Sequence, residues 1–194
     1  NIILIAVEIT LISVIALFFL VRTPSFQTFL AKKASHFLQD RLNSKVTVGK
    51  VDIAFFDKIY LDELYVEDLH KDTLFYVKEV YVNYKLNDKF LKLDFDLDKV
   101  KVKDAKFFLK RYKGEEELNL QFFINAFKTG RKSEKDVNFT LKTKELALEN
   151  AHFIYEDQNK TPLDFGVDFS NLDINKIDIN ATDVVVFKDN YKAD

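Results

Sequence analysis

No cysteine occurs anywhere in the 194-residue chain, so disulfides, thiolate nucleophiles and thiolate metal sites are excluded. That absence suits either side of a membrane. Glycine and proline are nearly missing as well, at 4 and 2 residues, against 20 Phe and 8 Tyr. Strand interiors favour aromatic side chains and exclude Gly and Pro, so the bias favours sheet. Charge of one sign is also lacking: the net charge is −2 and the pI about 6.0. A nucleic-acid binder shows a basic face, whereas here Lys alternates with Asp along the apparent strands, as on a solvated surface. With 47% hydrophobic and 31% charged residues, the chain is neither disordered nor a polytopic membrane protein.

Catalytic and metal-binding patterns are missing too. His36, His70 and His152 lie far apart and lack the paired spacing of a metal site. Four isolated glycines make no phosphate-cradling loop, and no Ser sits in a nucleophile-elbow context. Asp94-Phe95-Asp96 resembles part of a calcium loop but lacks the glycine turn and closing Glu, so it reads as the wet face of a strand. Asn138-Phe139-Thr140 and Asn180-Ala181-Thr182 match the glycosylation acceptor triplet, a pattern common by chance. No enzyme and no cofactor are expected.

What is present begins with an apolar run, Ile2 to Val21. Its twenty residues span roughly 30 Å as a helix, the hydrocarbon thickness of a bilayer. Fifteen are Leu, Ile, Val or Phe and contribute roughly −7 kcal/mol to insertion, while Glu8 costs about +3 at most. The run is too long for a signal peptide and ends in Phe18-Phe19-Leu20-Val21-Arg22, without a small-residue cleavage site. It predicts an uncleaved anchor. Glu8 either pairs with a partner helix or stays neutral near an interface.

Thr23-Pro24 follows, an N-cap and first-turn pair. From there to Leu42, Phe26, Phe29, Leu30, Ala34, Phe37, Leu38 and Leu42 predict one apolar helical face. Gln27, Lys32, Lys33, Gln39 and Asp40 predict the polar one. Such a helix would cap the edge of the following sheet or lie on a membrane surface; its direct entry into strands favours the cap.

From Lys45 the period changes to two. Val46 and Val48 alternate, Gly49-Lys50 shifts the register as a bulge or bend would, and Val51, Ile53 and Phe55 resume it. Short alternating runs follow at Ile59-Leu61, Leu64-Val66, Val80-Tyr84, Leu91-Leu97, Val100-Val102, Ala105-Leu109, Val137-Leu141, Leu146-Leu148, Phe153-Tyr155, Phe165-Phe169 and Leu172-Val186. Residues 118–127 fit a short helix or a strand, and Lys128 to Lys135 a loop. The expectation is a mainly β protein of about twelve short strands forming an antiparallel sheet, apolar on one face and charged on the other. Three regions result: an anchor over 1–22, an amphipathic helix over 23–43, and a β-rich domain over 44–194. The start at Asn1 and the alternation still running at Val184-Val185-Val186-Phe187 predict a piece of a longer protein.

The order of parts resembles a known family. An anchor ends in Leu20-Val21-Arg22-Thr23-Pro24-Ser25-Phe26-Gln27, a helix follows, then Lys45-Val46-Thr47-Val48-Gly49-Lys50-Val51-Asp52-Ile53. Behind them come Ile59-Tyr60-Leu61-Asp62-Glu63-Leu64-Tyr65-Val66-Glu67-Asp68, Asp72-Thr73-Leu74-Phe75-Tyr76-Val77 and Val80-Tyr81-Val82-Asn83-Tyr84. This is similar to the N-terminus of TamB proteins of the AsmA-like superfamily, in the form found in Bacteroidetes-type bacteria. Many members carry Gly before the Leu of the second hairpin, where this chain has Glu63.

The resemblance implies a single-pass inner-membrane anchor, a periplasmic, elongated taco-shaped β-groove, and a role in outer-membrane biogenesis with bridge-like phospholipid transport. Its implied partners are membrane phospholipids, a bilayer around residues 2–21, and an outer-membrane assembly factor of the TamA/BamA-like kind. Val51, Ile53, Leu64, Val66, Val82, Leu93, Phe95, Phe139, Phe165 and Ile179 are the candidate groove-lining residues. The same residues would also fill a closed sandwich core, because periodicity does not separate a dry core from a lipid-wet trough. An anchored scaffold that docks an assembly or secretion partner through a strand edge is the alternative role.

Overall fold

The computed structural model describes residues 2–54, 57–85, 94–127, 140–186 and 191–192. The first helix, α1 (Ile2–Val21), is apolar all round and buries none of its residues. Among the described residues it is the one helix long and apolar enough to cross a membrane. Its two hydroxyls are satisfied within the helix: Thr10 Oγ1 donates to the Ala6 carbonyl and Ser13 Oγ to the Ile9 carbonyl, both at 2.8 Å.

Two residues separate α1 from α2 (Pro24–Leu42). Thr23 does both jobs at this break. Its Oγ1 donates to the Leu20 carbonyl at 2.8 Å, closing α1, and accepts from the Phe26 N–H at 3.3 Å, capping α2. Pro24 supplies the first helical position, where its missing N–H costs nothing. Asn43 ends α2 in the left-handed conformation, φ 50°.

The helix then lies along β1 (Val46–Ala54), the first edge of the sheet. Ser35 Oγ accepts from the Val48 N–H at 2.9 Å, Gln39 Nε2 donates to the Val46 carbonyl at 2.6 Å, and Gln27 Nε2 donates to Asp52 at 3.0 Å. The first two bonds occupy backbone groups of an edge strand that would otherwise be a template for another chain. They also correct the expected polar face. Gln27 and Gln39 turn toward the sheet, while Phe29 and Phe37, expected on the buried face, are exposed. The buried side is Ala31, Leu42 and their neighbours Leu30, Ala34 and Leu38.

The strands that follow are β2 (Lys58–Glu67), β3 (Thr73–Tyr84), β4 (Asp94–Arg111), β5 (Thr140–Asp157), β6 (Asn171–Val186) and the two-residue β7 (Tyr191–Lys192). They form one sheet in sequence order, β1 to β7. The sheet is mixed rather than antiparallel: β4 and β5 run parallel, with Phe107 opposite Phe153 and Val102 opposite Leu148. Parallel neighbours need a crossover of about a dozen residues or more, and residues 112–139 supply it. That crossover carries α3 (Gln121–Phe127), so residues 118–127 include a helix and not a strand.

The twelve short strands expected from the sequence are also corrected. Seven are present among the described residues, and β4 and β5 are 18 residues each. The runs Val100-Val102 and Ala105-Leu109 are both inside β4, and Leu146-Leu148 and Phe153-Tyr155 both inside β5. Phe165, Val167 and Phe169, expected as a strand, lie in the connection between β5 and β6. Phe55, Leu91, Leu93, Lys128 to Lys135, Val137 and Phe139 lie outside the described residues.

Candidate functional site: the apolar face of the sheet

One face of the sheet is charged. Lys99 meets Glu145 at 2.8 Å, Lys101 meets Glu149 at 2.7 Å, and Lys103 approaches Glu79 at 3.8 Å. Glu145, hydrogen-bonded to Lys99, holds that ammonium above its ordinary pKa. Tyr60 and Tyr81 pair across β2 and β3 on this side, ring centres 5.0 Å apart.

The other face is a set of apolar rows crossing the strands. One row runs Val66, Phe75, Phe107, Phe153, Ile174; the next Leu64, Val77, Ala105, Ala151, Ile177. Beyond these lie Leu61, Val80, Val102, Leu148, Ile179, and then Ile59, Val82, Val100, Leu146, Ala181. The rows on the two sides come from positions of opposite parity, yet they share one face: Val48 and Val51 both pack with Ala31 of α2, and Val77 packs with Val80.

A transverse line of irregular residues reconciles the parities. The ladder skips this level: Gly49, Glu63 (φ 56°), Lys78, Asp104 (φ 50°) and Asn150 (φ 52°) are left between consecutive bonded pairs from β1 to β5. In β6, Lys176 (φ 56°) sits where the register with β5 slips around Ala151. A left-handed residue breaks the alternation of side chains once. From β1 to β5 neighbouring strands break at the same level, so the register there survives and the apolar residues stay on one side; between β5 and β6 it slips around Ala151.

Polar contacts hold this crease. Asn150 Nδ2 donates to Asp104 Oδ1 at 2.6 Å, the Asn150 N–H donates to Asp178 Oδ1 at 2.8 Å, and Lys78 stands 3.6 Å from Asp104. The Asn150 hydrogen bond, with Lys78 and Lys103 nearby, keeps the Asp104 carboxyl below its usual pKa. Gly49 relieves crowding here, since a Cβ would stand 3.1 Å from Glu63 Cβ and 3.2 Å from the Asp62 carbonyl oxygen.

One end of the apolar face is covered. Leu42, Val46, Val66 and Leu74 form a buried cluster overlaid by Phe122, Phe123 and Ala126 of the α3 region, with Phe123 edge-on to Phe75 at 5.6 Å. Asp68, 2% exposed, anchors this lid. Its Oδ1 accepts from the His70 and Asp72 N–H groups at 2.9 and 3.0 Å; its Oδ2 accepts from Tyr112 at 2.7 Å and Asn119 at 2.9 Å. Burial and the facing carboxylates of Asp68 and Asp72 push the Tyr112 hydroxyl far above its ordinary pKa. Past the crease the face is more open. There Val80, Val102 and Leu148 are half-buried and Ile179 is 47% exposed, while Val77, Ala105 and Ala151, on the near side of the crease, form a buried cluster that only sheet residues surround.

No family model, curated protein or solved structure matches this chain. Its function must therefore be read from its own geometry.

Of the ten residues expected to line a groove, Val51, Ile53, Leu64, Val66, Val82 and Ile179 fall in strands, and the structure divides them. Val51 and Val66 are buried, the first against α2 and the second in the cluster that α3 overlays. Leu64 and Val82 are half-buried in the rows, Ile179 is the most open of the set within a strand, and Ile53 sits half-buried opposite Ile59 on β1. Phe165 is not in a strand: it is 95% exposed in the β5–β6 connection. Phe95 is in β4 opposite Leu141, without a described side chain, and Leu93 and Phe139 lie outside the described residues.

The candidate set missed the buried Val77, Ala105 and Ala151 and the half-buried Val102, Leu148 and Ile177 that pack on them at the centre of the face. The signal for them was the parity change at Val77/Val80, Val102/Ala105 and Leu148/Ala151, which looks like a strand break in sequence.

The histidines are also placed. His36 is exposed on α2, His70 stacks on Tyr112 at 3.7 Å with its Nε2 3.0 Å from Glu115, and His152 lies within β5, 2.7 Å from Asp173. Among the described residues no three His, Asp or Glu side chains are grouped to hold a metal ion.

Proposed function

We propose that this chain is a non-catalytic, inner-membrane-anchored envelope protein whose apolar β-face carries phospholipid acyl chains through the periplasm in support of outer-membrane biogenesis. The observation that supports this reading is the part of the apolar face that α3 does not overlay, the rows where half-buried Val80, Val102 and Leu148 pack on sheet residues alone and lead to Ile179, 47% exposed. Those rows run across the strands, from the helix-covered edge at β1 toward β6. A lipid moving along them keeps apolar contact at each strand. Leaving a sixteen-carbon chain in water costs on the order of 12 kcal/mol, at about 0.8 per CH₂, so a continuous apolar path removes the main barrier. Resemblance to TamB proteins supports the same cargo and compartment.

The test uses two neighbours on opposite faces of β4. A photo-crosslinking side chain at Val102 should capture phospholipid, and one at Lys101 should not. The substitution Val102→Asp should stop lipid transfer. Equal capture at both positions, or undiminished transfer by Val102→Asp, would sink the reading.

A second reading, an anchored scaffold for an outer-membrane assembly partner, draws on the far edge of the sheet. Only Val185 and Val186 of β6 pair with β7, so residues 171–184 have no further strand beside them among the described residues. Such an edge suits strand addition. Protein adducts along β6 in place of lipid adducts at Val102 would favour this role.

A further inference from the structure

We infer that α2 is two-sided, clamping β1 with one face and resting its exposed Phe29–Lys33–Phe37 stripe on the surface of a phospholipid bilayer. The inference rests on the reading of α1 as a bilayer span and adds a second membrane contact to it. Residues four apart share one helical stripe, which places Phe29, Lys33 and Phe37 together. Phe29 and Phe37 are 52% and 62% exposed, although Leu30, Ala31, Ala34, Leu38 and Leu42 of the same helix are packed inward. The sheet side of α2 is already filled by Ala31 and held by Gln27, Ser35 and Gln39. Rotating the helix to bury the two phenylalanines would break all three of those hydrogen bonds.

The occupant follows from the connection. Only Arg22 and Thr23 separate α2 from the end of α1, so α2 starts where the chain would leave the hydrocarbon. An aromatic stripe with Lys beside it is the composition of an interfacial helix, rings at the acyl boundary and ammonium groups at the phosphates. Lys33 Nζ lies 5.8 Å from the centre of the Phe29 ring, and Arg22 stands 4.8 Å over Phe18, the same pairing at the end of α1. Lys32 and His36 flank the stripe and Asp40 continues it, so the side is basic overall.

Because the chain has no cysteine, single-cysteine variants of the full chain take one fluorophore each. Labels at Ser13→Cys, Lys33→Cys and Lys101→Cys are compared in phosphatidylcholine/phosphatidylglycerol vesicles, with spin-labelled lipid and aqueous iodide as quenchers. The label at 33 should be quenched by the lipid and shielded from iodide, the label at 101 the reverse. Adding Phe29→Ser and Phe37→Ser should move the label at 33 to iodide-accessible. A label at 33 that behaves like the one at 101 overturns the inference, as does shielding from both quenchers, which would mean a protein covers the stripe. If the label at 13 is lipid-quenched and that at 33 is not, the span stands and the surface contact falls; if 13 is itself in water, both fall.

Discussion

Gly49 and Glu63 face each other where the crease enters the sheet, and a double-mutant cycle between them tests whether the crease is built as described. In Gly49→Ala the new Cβ would meet Glu63 Oε2 at 3.0 Å, Glu63 Cβ at 3.1 Å and the Asp62 carbonyl oxygen at 3.2 Å. Two of those three contacts are with the Glu63 side chain, and the crowding should cost about 1–2 kcal/mol. Glu63→Gly relieves about 1 kcal/mol of left-handed strain, offset by about 0.5–1 kcal/mol of added unfolded-state freedom, so alone it should be nearly neutral. In the Glu63→Gly background both side-chain contacts vanish, and Gly49→Ala should lose about 1 kcal/mol of its penalty. Urea unfolding of the full chain in detergent micelles, followed by far-UV circular dichroism, reads all four corners. An equal penalty in both backgrounds, or none in either, would refute a crease in which these residues abut.

Two further outcomes follow from the lid and the surface charges. Asp68→Ala would remove the acceptor of one Asn119 amide hydrogen, whose partner bond to the Phe108 carbonyl remains, and of two backbone N–H groups, so it should destabilise the full chain by about 2–3 kcal/mol in the same unfolding assay; a loss under about 0.5 kcal/mol would show that the turn does not hold α3 down. The Asp72, Asp98 and Asp104 carboxyls are held below the ordinary value of 3.8 by hydrogen bonds from Lys110, Lys144 and Asn150 respectively. Their contribution is therefore whole above pH 3.8 and lost as pH falls through the lower folded values, whereas Lys45 and Lys99, raised above 10.5 by Glu67 and Glu145, contribute fully below pH 10.5 and lose it above. Unfolding midpoints between pH 5 and 9 should be flat on this account, and a steep change there would contradict it.

The candidate face was partly legible. Alternation along β1 and β2 identified Val46, Val48, Val51, Leu64 and Val66 as inward residues, because a strand buries every second side chain wherever its backbone stays extended. It failed at Phe165, Val167 and Phe169, whose spacing is equally strand-like. A strand needs a neighbour to bond, and these residues lie in a connection that pairs with none. Helix α2 misled for a related reason. Seven apolar residues on one arc look like one buried face, but hydrogen-bonding side chains fix which part of the arc turns inward.

What the sequence determined by itself is local: an apolar helix of twenty residues, a Thr-Pro break into a second helix, and β-structure with one greasy side. Each follows from short-range periodicity and capping. Tertiary structure alone decided that Val102 and Ala105 belong to one strand, that β4 and β5 run parallel, and that the phase shifts in neighbouring strands align. A single phase shift is ambiguous between a turn and a left-handed residue. Only the register of neighbouring strands makes the shifts coincide, and their coincidence keeps the apolar rows on one face.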